Sequence, residues 1–213
     1  MDELCAQLSS RSARWPRRAV VAALALGIAC GDSSVGKNRR TTPATRGEGG
    51  SPVSLDSALK LFRRDLEPVT ELQDSERSIA DVVARLATAV ERSDTTALRA
   101  LVMSRREFAW LYYPTSPFTR APTKQEPTLA WFLHLQASEK GATRLFNAYG
   151  GRSLRLAGHE CMAPPRLEGN NRLWFDCVQL LTEEQGDTTV TRLFGGIIER
   201  DGRFKILSYS NDL

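Results

Sequence analysis

The chain has 213 residues, 41% apolar and 25% charged, the balance of an ordinary globular protein. Its formal charge of +4 sits entirely in the first fifty residues, because residues 51–213 hold 21 basic and 21 acidic side chains. Phosphate recognition needs basic charge on the folded part, so this distribution argues against a nucleic-acid partner.

At the amino terminus, Arg11, Arg14, Arg17 and Arg18 precede an unbroken apolar run from Ala19 to Ala29. Eleven apolar residues fall short of the ~20 that a membrane-spanning helix requires, but they suit the hydrophobic region of a signal peptide. The run ends at Leu26-Gly27-Ile28-Ala29-Cys30 and continues as Gly31-Asp32-Ser33-Ser34. This resembles a bacterial lipobox, which implies cleavage before Cys30 and a diacylglyceryl group with palmitate-like chains on its thiol. The alternative is a plain signal peptide cut near Ala29. Residues 31–51 are rich in Gly, Ser, Thr, Pro and Arg, with Val35 the one large apolar residue. Such a segment cannot bury enough surface to offset its ordering entropy and is expected to act as a tether. The resulting organisation is a signal peptide over 1–29, a lipid-anchored tether over 30–51, an accessory helix within 52–74 and a domain over 75–213.

Leu55, Leu59, Phe62 and Leu66 recur at helical spacing until Pro68. Ile79, Val82, Val83, Leu86 and Val90 repeat the pattern. Asp94 caps a predicted helix over Thr95–Met103. Ser104 and Glu107 have capping-box spacing ahead of Phe108-Ala109-Trp110-Leu111. Pro127 opens a longer helix that runs to Tyr149 and ends at Gly150-Gly151. Beyond Gly151 the period changes from near 3.6 to near 2. Strands are predicted around Leu154 and Leu156, over Asn171–Thr182, over Thr188–Glu199 and over Phe204–Tyr209, the last pair joined by Asp201-Gly202. Gly195-Gly196 inside a strand marks a bulge or a close backbone approach. Helices followed by strands predict an α+β fold, with the helices on a four-stranded antiparallel sheet.

The order Ile79–Leu101, with Glu91-Arg92-Ser93-Asp94 between two helices, resembles the opening of the SnoaL-like superfamily. The ending Arg200-Asp201-Gly202-Arg203-Phe204-Lys205-Ile206 resembles its final hairpin. The resemblance covers roughly 78–210. It implies the curved, cone-like sheet shared with nuclear transport factor 2 and ketosteroid isomerase, and a pocket between sheet and helices. Members of the superfamily include enzymes and binding proteins.

In an oxidising envelope compartment, Cys161 and Cys177 form a disulfide candidate with Cα atoms expected ~4.4–6.8 Å apart. No Cys or His pair stands at ligand spacing, so neither a metal nor a cofactor is expected. His134 and His159 read as structural or surface residues. Asp176 shares strand parity with Trp174, Val178 and Leu180, which predicts a carboxylate on the helix-covered face. Its pKa would be raised there, as a general base requires. The opposite parity, Leu173, Phe175 and Leu181, is also apolar and would turn Cys177 inward. Trp110, Tyr113, Trp131, Trp174 and Asp176 are the pocket candidates, although aromatic residues at helical spacing are ordinarily core.

The leading reading is a non-enzymatic lipoprotein on the envelope membrane, facing periplasm or exterior, that binds a small apolar ligand or an envelope protein. One alternative is a SnoaL-like isomerase, cyclase or hydrolase using Asp176. Another is a structural assembly factor without a ligand pocket.

Overall fold

The computed structural model describes residues 54–182 and 186–213, so the leader, Cys30 and the tether lie outside the described residues. Helices come first: α1 (Leu55–Arg63), α2 (Ile79–Glu91), α3 (Thr95–Leu101), the single turn α4 (Arg105–Glu107), and α5 (Pro127–Tyr149). Strands follow: β1 (Leu156–Cys161), β2 (Arg166–Glu168), β3 (Asn171–Trp174), β4 (Cys177–Thr182), β5 (Thr188–Thr191), β6 (Gly196–Arg200) and β7 (Arg203–Ser208). The architecture is α+β.

The helix boundaries follow local chemistry. Asp94 accepts from the Ala97 amide at 2.9 Å, and Ser104 and Glu107 complete a reciprocal capping box. Pro127 occupies the first turn of α5, where a missing N–H costs nothing, and Gly150 caps its end. Helix α3 stops two residues earlier than its periodicity predicts. Val102 turns extended, and the Met103 amide donates to the Ile206 carbonyl at 2.9 Å, exchanging a helical bond for one at the edge of β7. After α4 the chain enters a π-helical turn, Phe108–Tyr112. This widening frees the Ala109 carbonyl, which takes two bonds from Arg63 at 3.0 and 2.7 Å.

All strand pairs are antiparallel, in a three-stranded sheet ordered β1-β4-β5 and a four-stranded sheet ordered β2-β3-β6-β7. The stretch predicted as one strand, Asn171–Thr182, divides at Asp176, whose φ of 54° no strand residue adopts. The stretch Thr188–Glu199 divides at residues 192–195, with a bulge at Gly196/Ile197. Since β3 pairs with β6 and β4 with β5, both arms break at the same level and contribute to both sheets. A short strand, β2, also forms where a loop was expected. Asp201 and Gly202, at φ 51° and 72°, make the tight β6–β7 turn that Asp-Gly announces.

The four-stranded sheet is buried on both faces. Adjacent residues Ile197 and Ile198 point to opposite sides and are both fully buried. Ile197 and Ile206 join a core with Val82, Leu86, Leu101 and Leu145. Ile198, Leu173 and Leu207 join another with Phe62, Phe108, Tyr112 and Tyr113. Each fully buried aliphatic side chain contributes roughly 2 kcal/mol. Through Phe62, α1 packs into this second core.

Strand parity is inverted relative to the first expectation. Asn171, Leu173, Cys177, Gln179 and Leu181 are buried, Trp174, Val178 and Leu180 are half-buried, and Asp176 is exposed. The buried side chain of Gln179 meets part of its hydrogen-bonding need there, because its Oε1 accepts the Leu193 amide at 2.8 Å, while its Nε2 has no partner among the described residues.

Candidate functional site

A cleft of about 540 Å³ lies between α3 and α5. Leu98 and Val102 line it from the α3 side, Leu135, Ala142 and Phe146 from α5, and Tyr209 from the segment after β7. Its polar rim is Thr95 and Arg99 on one side and Glu139, Thr143 and Asn147 on the other.

The cleft exists because α5 seats itself against residues 209–211 rather than against α3. Gly141 faces the Tyr209 carbonyl so closely that any Cβ would collide with it. Ser138 accepts the Tyr209 amide at 3.1 Å, Asn211 donates to the Gly141 carbonyl at 3.0 Å, and Arg144 donates to the Asn211 carbonyl at 2.6 Å. The Tyr209 hydroxyl crosses to α3 and donates to the Leu98 carbonyl at 2.8 Å. Burial pushes that phenol well above the ordinary tyrosine range. A glycine and a serine one turn apart inside a long helix were the available sequence signal, since isolated glycine in a helix usually has a packing reason.

The residues nominated from sequence do not converge on this cleft. Trp110 carries the Arg63 guanidinium over its ring at 4.0 Å. Tyr113 is buried, and its hydroxyl donates to the Gln125 carbonyl at 2.6 Å. Trp131 packs on Phe108 and His134, with centroids 5.2 and 5.7 Å away. Trp174 donates to Glu199 at 3.2 Å. Asp176 forms an ion pair with Arg192 at 2.9 Å and is more than half exposed. The apolar surroundings expected for it are therefore missing.

Cys161 and Cys177 are bonded and directly opposed in the β1–β4 register, with Cα atoms 3.9 Å apart, closer than the expected range. His159 lies two residues away on β1, opposite Gln179. Among the described residues there is no cluster of three His, Cys, Asp or Glu side chains able to hold a metal ion.

Sequence reasoning missed a set of buried charges on the aromatic side. Lys205 places its ammonium 2.9 and 3.0 Å from the two Glu107 oxygens and 2.8 Å from the Gln73 carbonyl. Glu107 also accepts from the Gln73 amide and from Ser104, so both partners are saturated. Glu168 is buried, with neither carboxylate oxygen hydrogen-bonded. Burial raises its pKa against the opposing pull of Arg120 and Arg166. Burial, with Glu168 adding to it, pushes the nearby Tyr112 phenol to about 12. His134 is driven down to about 4 by burial, against a backbone hydrogen bond with Leu207. None of these groups lines the cleft.

On its outer face, the first half of α5 exposes Leu129, Phe132 and Leu133, each about half accessible. Their i, i+3, i+4 spacing makes one stripe. Among the described residues no helix is long and apolar enough to cross a membrane. No family model, no curated protein and no solved structure matches this chain.

Proposed function

We propose that this protein is exported, held on the cell-envelope membrane through a lipid on Cys30, and binds a small apolar ligand without catalysis. The α3–α5 cleft carries the reading. Its volume falls within the ~300–1,000 Å³ typical of small-molecule sites, and its walls are largely aliphatic and aromatic, with the buried Ser138 and Tyr209 committed to internal hydrogen bonds and the other polar groups exposed. The titratable groups that line it are Arg99, Glu139 and Tyr209. Tyr209 is committed to the Leu98 carbonyl, so no acid–base pair faces the apolar floor. The SnoaL-like resemblance remains part of the proposal; its two motifs fall on α2–α3 and on the β6–β7 hairpin.

Two measurements test the reading. Filling the cleft with Ala142→Trp is expected to weaken binding of an apolar naphthylamine fluorophore at least tenfold, and unchanged affinity would remove the cleft from consideration. Separately, Cys30→Ala is expected to abolish acyl labelling and release the protein from the membrane fraction. Unchanged partitioning would reject the anchor. The Leu129, Phe132 and Leu133 stripe favours a second reading, in which this surface meets an envelope protein. A Phe132→Asp variant that retains fluorophore binding but loses activity in cells would point there.

A further inference from the structure

The outer face of α5 changes character along its length. From Pro127 to Ser138 the helix carries no Asp, Glu, Lys or Arg, and Leu129, Phe132 and Leu133 form its exposed stripe. Charges bracket this stretch in balance, Lys124 and Glu126 before it, Glu139 and Lys140 after it. Helix α1 packs against α5, and the core that holds its Phe62 also holds Ala130 and Trp131 from the same half of α5. Around α1, Lys60 and Arg64 balance Asp56 and Asp65, while Arg63 is held over the Trp110 ring. The stripe is thus apolar in a neutral setting.

Two observations select what covers it. Its three side chains together expose a few hundred Å² at most, well short of the ~800 Å² per partner that a stable protein interface buries. Helix α1 starts at its Ser54 cap, roughly 24 residues after Cys30, and a Gly-, Ser- and Thr-rich chain of that length has a root-mean-square span of ~25–30 Å. A domain held that close to a bilayer meets it as an intramolecular event, so a small contact suffices. We propose that the first half of α5 lies on the lipid surface to which the protein is anchored, with Leu129, Phe132 and Leu133 inserted at the boundary between headgroups and acyl chains. Amphipathic helices occupy that depth by burying one apolar face. The inference rests on the Cys30 anchor and adds to it the face that the domain turns toward the membrane.

The test holds the mature chain on phosphatidylcholine vesicles through an amino-terminal hexahistidine tag in place of Cys30 and a nickel-chelating lipid. Gln136→Cys, exposed one turn beyond Leu133, carries a nitrobenzoxadiazole fluorophore, since Cys161 and Cys177 are bonded to each other. Its emission is expected to shift to the blue and brighten severalfold on vesicles, and to do so equally at about 0.5 M salt, where surface charges are screened. Phe132→Ser combined with Leu133→Ser, its fold checked by thermal melting, is expected to return the spectrum to that in water. Leu167→Ser, which removes an exposed leucine of β2 instead, is expected to change nothing. A water-like spectrum on vesicles, or a shift that survives the serine pair, would overturn the proposal. A shift that needs anionic lipid or vanishes in salt would overturn apolar insertion. A blue-shifted spectrum before vesicles are added would assign the stripe to a second copy of the chain and overturn the lipid assignment. Because the tag replaces the acyl group, these outcomes bear on the stripe alone, and the Cys30 anchor stands or falls by acyl labelling.

Discussion

On one side of the four-stranded sheet, Leu86, Leu101, Leu145, Ile197 and Ile206 meet as an almost wholly aliphatic core. On the other, Phe108, Tyr112 and Trp131 pack their rings against His134 in a core shared with Phe62 and Tyr113, and that side of the sheet also holds the Glu107–Lys205 pair. Both sides are equally well buried, yet they specify the fold differently. Aliphatic packing tolerates exchange among shapes of similar volume. A buried ion pair tolerates almost none, because each partner depends on the other for neutralisation. The aliphatic side also carries the cleft, where α3 and α5 stand apart.

The sharpest way to break this contrast is to orphan a charge. Lys205→Met leaves Glu107 buried without its counter-ion and is expected to cost ~3–5 kcal/mol in chemical denaturation. Adding Glu107→Leu should recover most of that loss, because an apolar pair of similar volume is often neutral or better. Additive losses would mean that the pair is not coupled.

The disulfide tests the other end of the molecule. Its 16-residue separation is worth ~3 kcal/mol through loop closure in the unfolded chain. The double change Cys161→Ala, Cys177→Ala is expected to lower global stability by about that amount. Hydrogen exchange should quicken in β1 and β4 before it does in β6. Uniform loss of protection would show that the two sheets unfold as one unit.

Acid should act mainly on the aromatic side. The His134 pKa is lower in the folded chain, about 4, than the ~6.5 of an unfolded histidine. The unfolded state therefore takes up the extra proton first. Stability is expected to be complete above pH ~6.5 and to fall as pH drops toward 4, by ~2–3 kcal/mol. His134→Phe should flatten that slope in a pH series of melting curves.

Glu168 works with the opposite sign. Its raised folded-state pKa means that the fold carries a penalty above that pKa, relieved as acid protonates the carboxyl. Glu168→Gln is expected to leave stability unchanged or raise it by ~1 kcal/mol at neutral pH. A clear loss would show that the carboxylate has a partner worth keeping.

The same contrast explains how much was legible in the residues alone. The aliphatic side was legible because α2, α3 and α5 carry apolar stripes with local start signals, the Asp94 cap of α3 and Pro127 in the first turn of α5. The aromatic side was not. Lys205, between Phe204 and Ile206, looks like the solvent face of a strand, and only Glu107 on a distant turn explains its burial. The break at Asp176 was equally quiet, although aspartate tolerates a left-handed backbone better than the strand formers around it. Its solvent exposure follows from that break, and the pocket placement expected for it fails for the same reason. The cleft escaped notice because it depends on Gly141 meeting the Tyr209 carbonyl, a contact between residues far apart in the chain.

The division of the long arms into two sheets also governs how the protein avoids other chains. A sheet edge exposes unpaired N–H and C=O groups that can recruit a neighbour's strand. Here β2 has three residues and β5 four, too short to offer a sustained template. The outer edge of β7 is occupied by the protein itself: Glu76 exchanges backbone bonds with Phe204, and Met103 donates to Ile206. On β1 the register slips between Leu156 and Gly158, interrupting the regular ladder. An unbroken 171–182 and 188–200 pair would have left long, straight edges. By breaking both arms at one level, the fold trades sheet continuity for resistance to aggregation.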